Sequence, residues 1–168
     1  GINDALKELE GKPPLISGET AIHSDIETFD IAGFGVGACP KKNYIEGKNI
    51  KENDVILGLR SSGFHSNGYT LIRKVWNSSF YRAEDKTEMI QRLLTPSRIY
   101  VNTVLATLRK YAPSINGICH ITGGGRENLN RLMGENLNLR PRWNDDWTRP
   151  PEFEFIQEKG NISDGEMR

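Results

Sequence analysis

Apolar residues in this chain recur with two different periods. Leu71, Ile72, Val75 and Trp76 stand at helical spacing, which predicts an amphipathic helix over 68–76. Thr87 to Leu94 reads as a second, shorter helix. Val101, Val104, Leu105 and Leu108 trace one stripe of a third, which is expected to begin at Thr95 as N-cap with Pro96 at its first position. Asn3 to Leu9, stopped by Gly11 and Pro13-Pro14, and Pro151 to Lys159, with Phe155 and Ile156 inward, complete the long helical segments. A further helix is expected after Gly123–Gly125, with Leu129 and Leu132 inward. Phe29 to Cys39 is apolar on both faces and, like Asp54 to Leu59, reads as a buried strand; Gly117 to Ile121 reads as a further strand, Pro14 to Gly18 as a short one, and Leu137 to Arg142 as an edge strand. Gly33, Gly35 and Gly37 share one face of the longest run, where another backbone could come close. Strands and helices mix without strict alternation, so the expected class is α+β with a mixed sheet.

Pro40 to Asn53 is rich in Lys, Asn and Glu and is the best candidate for a domain boundary. Trp143 to Pro151 reads as an irregular loop whose tryptophans could stack a base or close over a core. Ser163-Asp164-Gly165-Glu166 is a capping-box pattern that announces a helix, yet the sequence stops at Arg168, and a truncated polypeptide is the expectation.

Composition narrows the function. The 168 residues carry 22 basic and 22 acidic side chains, a formal net charge of zero, with no Lys/Arg cluster, which argues against a nucleic-acid binder. No apolar stretch is long enough to span a membrane. Cys39 and Cys119 have no partner spacing, so neither a disulfide scaffold nor a thiolate zinc site is expected, and a cytoplasmic location fits. What remains is a protein that handles a small molecule.

Two loops could do so. Ser61-Ser62-Gly63-Phe64-His65-Ser66-Asn67-Gly68 leads from a strand into a helix, where the first main-chain N–H groups are unpaired and the dipole favours an anion by roughly 0.3–2 kcal/mol. Its serines and Asn67 add short hydrogen-bonding groups, and His65 can donate to a phosphate or carry a proton. A well-capped turn with a surface histidine is the plainer alternative. His120-Ile121-Thr122-Gly123-Gly124-Gly125-Arg126-Glu127-Asn128 repeats the arrangement with three glycines, although it is neither a Rossmann fingerprint nor a Walker loop. Set on adjacent strands, the two loops would face one crevice. His120 itself reads as a satisfied histidine or as a catalytic one. Gly18-Glu19-Thr20 offers one carboxylate, a Mg²⁺ ligand or a surface Glu, with His23, Asp25 and Asp30 near it.

Taken together, Ser17–Ala21, Asp30–Gly37, Ser61–Gly68, Leu94–Val101, His120–Asn128 and the terminal Gly160–Met167 resemble the aminoimidazole ribonucleotide synthetase (phosphoribosylformylglycinamidine cyclo-ligase) family in the expected order. The resemblance implies a PurM-like enzyme of two α+β halves, dimeric through its N-terminal halves. Residues 1–42 would end the first, ATP-binding half, and residues 43–168 would form most of the second, C-terminal half. It implies ATP-dependent closure of formylglycinamidine ribonucleotide to aminoimidazole ribonucleotide. The formyl oxygen is activated by phosphorylation, the amidine nitrogen closes the ring, and phosphate leaves. On that model Glu19 and Thr20 belong to the nucleotide side, with Glu19 as the Mg²⁺ ligand. Ser61, Ser62, Gly63, Ser66 and Gly68 line the substrate side, Thr122, Gly123, Gly124 and Gly125 close the pocket, and His65 and Asn67 are the catalytic candidates, His65 for proton transfer or for binding. The chain departs from the family where Ile22-His23-Ser24-Asp25 replaces Glu-Met-Pro-Gly, and Ser17 replaces a Gly. The family's ATP motifs would lie before Gly1, so this stretch alone is expected to be inactive. A non-catalytic dimerisation module of the same fold, or a related ATPase acting on another small substrate, stays open.

Overall fold

Wherever apolar residues recur every three or four positions, the chain is helical. The computed structural model describes residues 1–22, 24, 29–78, 83–133, 138–144 and 146–167, with the backbone alone at 83–86. Among these residues the α-helices are α1 (Ile2–Glu8), α2 (Tyr69–Ser78), α3 (Ala83–Leu93), α4 (Val101–Tyr111), α5 (Asn130–Met133) and α6 (Pro151–Gly160). Short 3-10 turns cover Lys41–Asn43, Ala112–Ser114 and Gly125–Leu129. Two compact units result: Gly1–Tyr44 with Ile99–Ala112, and Ile45–Arg98 with Pro113–Arg168.

The second unit holds the core. Ile72 and Val75 from α2, Leu93 from α3 and Ile156 from α6 are buried, and Phe64, Tyr69, Leu71, Trp76, Met89, Phe155 and Ile162 pack around them. Ile72 and Val75 sit three residues apart on one face of α2, the spacing that brings side chains together on a helix. The Tyr69 hydroxyl donates to the Leu93 carbonyl and fastens α2 to the end of α3. Pro151 opens α6, where its missing N–H costs nothing, and Asn161 closes it in the left-handed conformation (φ 47°). Beyond it the Ser163 hydroxyl accepts the Glu166 N–H at 3.3 Å, the first half of the capping box read from the sequence.

In the first unit α1 and α4 are joined by polar contacts. The Asn102 side chain donates to the Glu8 carbonyl (2.7 Å) and accepts the Glu10 N–H (2.8 Å), replacing bonds that the end of α1 lacks. Arg109 grips Glu10 with two bonds of 2.5 and 2.6 Å, and that pairing holds the Glu10 carboxyl below its usual range.

The predicted strands take a different form. No strand ladder forms among the described residues. Phe29–Cys39, Asp54–Leu59 and Gly117–Ile121 are non-helical, and the expected burial of the first two is overturned: Phe34 is 95% and Leu57 86% exposed. Among the described residues nothing lies within 4 Å of a Cβ placed on Gly33, Gly35 or Gly37, so no described backbone approaches that face. A helix closes its hydrogen bonds within itself, whereas an extended run closes them only on a neighbour. Pro14–Gly18 and 138–142 likewise join no strand ladder among the described residues, and Leu137 lies outside them.

The helix expected from Thr95 begins only at Val101. The Thr95 N–H turns back to the Arg92 carbonyl (3.2 Å), which ends α3 instead of capping a new helix. The next residues are engaged by the 61–68 loop: the Ser62 hydroxyl donates to the Pro96 carbonyl (2.7 Å), and the Arg98 guanidinium reaches the Arg60 carbonyl (3.0 Å). These tertiary bonds outweigh the local capping signal.

Candidate functional site

The 61–68 loop is shaped by residues in unusual backbone conformations. Gly63 (φ 148°) is buried, and a Cβ there would lie 3.2 Å from a Glu152 carboxylate oxygen of α6, so only glycine fits. Phe64 stacks on Phe153 at 4.0 Å and anchors the loop to α6. His65 is left-handed at φ 56°, a conformation that a residue with a side chain adopts at a cost unless its surroundings hold it. They do so through its ring: Nε2 accepts the main-chain N–H of Ser62 (3.0 Å) and of Arg98 (3.3 Å). Burial lowers the His65 pKa below the usual histidine value, and the nearby His120 and Arg98 lower it further. The Asn67 N–H is engaged by the Phe64 carbonyl (3.3 Å), and Gly68 (φ 79°) turns the chain into α2, accepting the Ile72 N–H at 3.0 Å. The N–H groups of Tyr69, Thr70 and Leu71 then head α2 with no acceptor inside the helix.

The second loop is organised around a side chain whose role the sequence did not reveal. Asn128 is 2% exposed, and its Nδ2 donates to the carbonyls of Gly125 (2.7 Å), Gly123 (3.1 Å) and Thr122 (3.5 Å). Thr122 Oγ1 donates in turn to Asn128 Oδ1 at 3.3 Å. With these carbonyls drawn inward and Gly124 (φ 91°) and Gly125 (φ 53°) left-handed, the glycine turn is a fixed shape. Arg126 stacks over Trp143 (4.7 Å) and Trp147 (5.6 Å), so the tryptophans cover the loop's own arginine.

The two loops meet. A Cβ on Gly123 would lie 3.9 Å from Asn67 Oδ1, and His120 is close enough to His65 to depress its pKa. Ser62, His65, Asn67, Thr122 and Gly123 are therefore neighbours, with Ser61, Ser66 and Gly68 on the exposed side of the first loop and Gly124 and Gly125 in the second. Glu19 and Thr20 are exposed on an extended stretch of the first unit. His23, Asp25 and Glu27 fall outside the described residues. Among the described residues no group of three or more His, Cys, Asp or Glu gathers to hold a metal. No helix there is long and apolar enough to cross a membrane. Cys39 and Cys119 are free thiols. A cleft of about 520 Å³ lined by Trp147, Arg149, Gln157 and Asp164 shares no residue with either loop. Asn128, Arg98 and the Pro96 carbonyl are the parts of this corner that sequence reasoning left without a role. The two side chains stood inside quoted motifs, but their bonds cross segments that spacing alone does not connect.

Comparison with known proteins gives the family. Residues 51–164 match the model of AIR synthase related protein, C-terminal domain, and the chain belongs to that family. Over 91% of its length it is similar to proteins named phosphoribosylformylglycinamidine cyclo-ligase. Identity is 41% for those of Bordetella pertussis and Xanthomonas oryzae pv. oryzae, covering 46% and 47% of the relatives. It is 40% for that of Xylella fastidiosa, with 45% covered. The chain thus spans about half the length of the curated relatives it matches.

Proposed function

We propose that the complete protein to which this chain belongs closes formylglycinamidine ribonucleotide to aminoimidazole ribonucleotide at the expense of ATP, and that these 168 residues alone do not. The observation that carries the reading is the meeting of Asn67 with Gly123, which sets two glycine-rich loops and the head of α2 around one corner. Such a corner suits a phosphorylated sugar: the first-turn N–H groups of α2 face an anion, and Asn67 and the serines offer neutral hydrogen bonds. The reading gives Ser61, Ser62, Gly63, Ser66, Gly68 and Thr122–Gly125 to substrate binding and makes Asn67 a catalytic residue, with His65 a candidate for proton transfer or for binding. ATP would supply the phosphoryl group that turns the formyl oxygen into a leaving group. Glu19 and Thr20 are assigned to the nucleotide. Glu19 alone is a poor fit to Mg²⁺, which takes several oxygen ligands.

The same reading makes 1–42 the end of an ATP-binding, dimerising half and 43–168 most of the C-terminal half. It treats Phe29–Cys39, Asp54–Leu59 and Gly117–Ile121 as strands of a mixed sheet whose partners come with the complete protein, a cytoplasmic homodimer. Steady-state assay of that protein for ATP-dependent aminoimidazole ribonucleotide formation is the test. Asn67→Ala is expected to lower kcat roughly 100-fold, the range of a positioned catalytic group. Unchanged kinetics would remove Asn67 from the mechanism.

A further inference from the structure

The ring of His65 faces more donors than a proton on Nε2 would tolerate. Two main-chain N–H groups, those of Ser62 at 3.0 Å and Arg98 at 3.3 Å, converge on this one atom. The Ser62 hydroxyl stands 3.1 Å from it, but its single proton goes to the Pro96 carbonyl at 2.7 Å. A bare Nε2 accepts both N–H groups. A protonated Nε2 would keep only the hydroxyl oxygen as acceptor and set its own proton against two others. At Nε2, two bonds against one favour the tautomer with its proton on Nδ1.

We propose that His65 is a positioning residue, neutral with its proton on Nδ1, whose Nε2 latches the 61–68 loop to the 95–98 segment, and that protonation of Nε2 releases the latch. This makes Nε2 an acceptor within the protein and removes it as the atom that carries a proton in chemistry. The proposal does not rest on the functional reading above. The latch also accounts for two other observations. Residues 95–98 are non-helical where a helix start was expected, and His65 is held left-handed because two main-chain N–H groups fix its ring.

The charged and titratable groups around the latch are Arg60 at the head of the loop, Arg98 on the latched segment, His120 from the neighbouring loop, and Glu152 behind Gly63 on α6. Burial, His120 and Arg98 favour the neutral ring. A histidine whose folded pKa is depressed stabilises the folded form above its unfolded pKa of about 6.5, and that contribution is lost as the pH falls through the folded value.

The test uses the 168-residue chain with ¹⁵N-labelled histidine, His65 being assigned by comparison with His65→Gln. Long-range ¹H–¹⁵N spectra at about pH 7.5 are expected to show His65 as the Nδ1–H tautomer. An Nε2–H tautomer, or an imidazolium at that pH, would overturn the proposal. Amide exchange of Ser62 and Arg98, normalised to intrinsic rates, is expected to speed up roughly tenfold as His65 is titrated toward about pH 5, as two lost hydrogen bonds require. Glutamine at position 65 keeps an acceptor and cannot titrate, so in His65→Gln the two amides should stay protected across the same range. Exchange in the unmodified chain that ignores the titration would overturn the release. If His65→Gln does not fold, the tautomer and exchange of the unmodified chain still decide. Absence of ring closure in the complete protein would sink the functional reading and leave these measurements standing.

Discussion

The corner built from 61–68 and 120–128 and the run from Phe29 to Cys39 look alike on paper, since both are rich in glycine and neither contains an α-helix. In the structure they are opposites. The corner is locked by side chains that bond the main chain: His65 on Ser62 and Arg98, Asn128 on three carbonyls, Ser62 on Pro96. Among the described residues the run shows such a bond only from the Ile31 N–H to the Asp30 carboxylate, and its Phe34 and Val36 stand in solvent. A loop carries its own hydrogen-bond partners, while a strand borrows them. That is why short polar residues around glycine yield a shaped corner from one chain, and why an apolar run of equal length does not fold by itself.

The sharpest way to break the corner is at Asn128. Asn128→Ala leaves three inward carbonyls and the Thr122 hydroxyl without their partner, and is expected to cost about 3 kcal/mol in urea unfolding. A loss below about 1 kcal/mol would mean that the loop keeps its shape without the side chain. Glycine-to-alanine exchange then sets the two regions side by side. Gly63→Ala must be accommodated at φ 148° against Glu152, and is expected to cost about 1–3 kcal/mol. Gly33→Ala, with open space around it, should stay within about 0.5 kcal/mol in this chain. In the complete protein a marked loss from Gly33→Ala would show that a partner covers this face there. The smallest effect concerns the pair Asp54 and Asn116. The Asn116 side chain donates to Asp54 at 2.8 Å and, together with the Lys51 N–H, holds that carboxyl below its usual range. Such a carboxylate favours the folded form above its unfolded pKa, and the benefit fades as the pH drops through the folded value. Asn116→Ala should therefore move the Asp54 titration upward, as followed by carboxyl NMR, and an unmoved titration would assign the shift to the backbone bond alone.

Much of this was legible in the sequence. The stripe of Ile72 and Val75 and the Phe155-Ile156 pair located α2 and α6 and named three of the buried side chains, because helical spacing is a property of neighbours along the chain. The two loops were legible for the same reason, as dense small polar groups before a helix. Thr95-Pro96 misled, because a start signal weighs only local bonds and here Ser62, His65 and Arg98 supplied stronger distant ones. The strands misled differently: Phe29–Cys39 and Asp54–Leu59 have the composition of buried strands, but burial belongs to a pair of segments and not to one.

By itself, then, the sequence determined what is local and periodic: where helices run, which glycine-rich loops precede them, and which family the motifs resemble. Tertiary structure alone decided that Asn67 meets Gly123, that Asn128 shapes the glycine turn, and which nitrogen of His65 is occupied. These depend on bonds between residues far apart in sequence, whose geometry no spacing along the chain encodes.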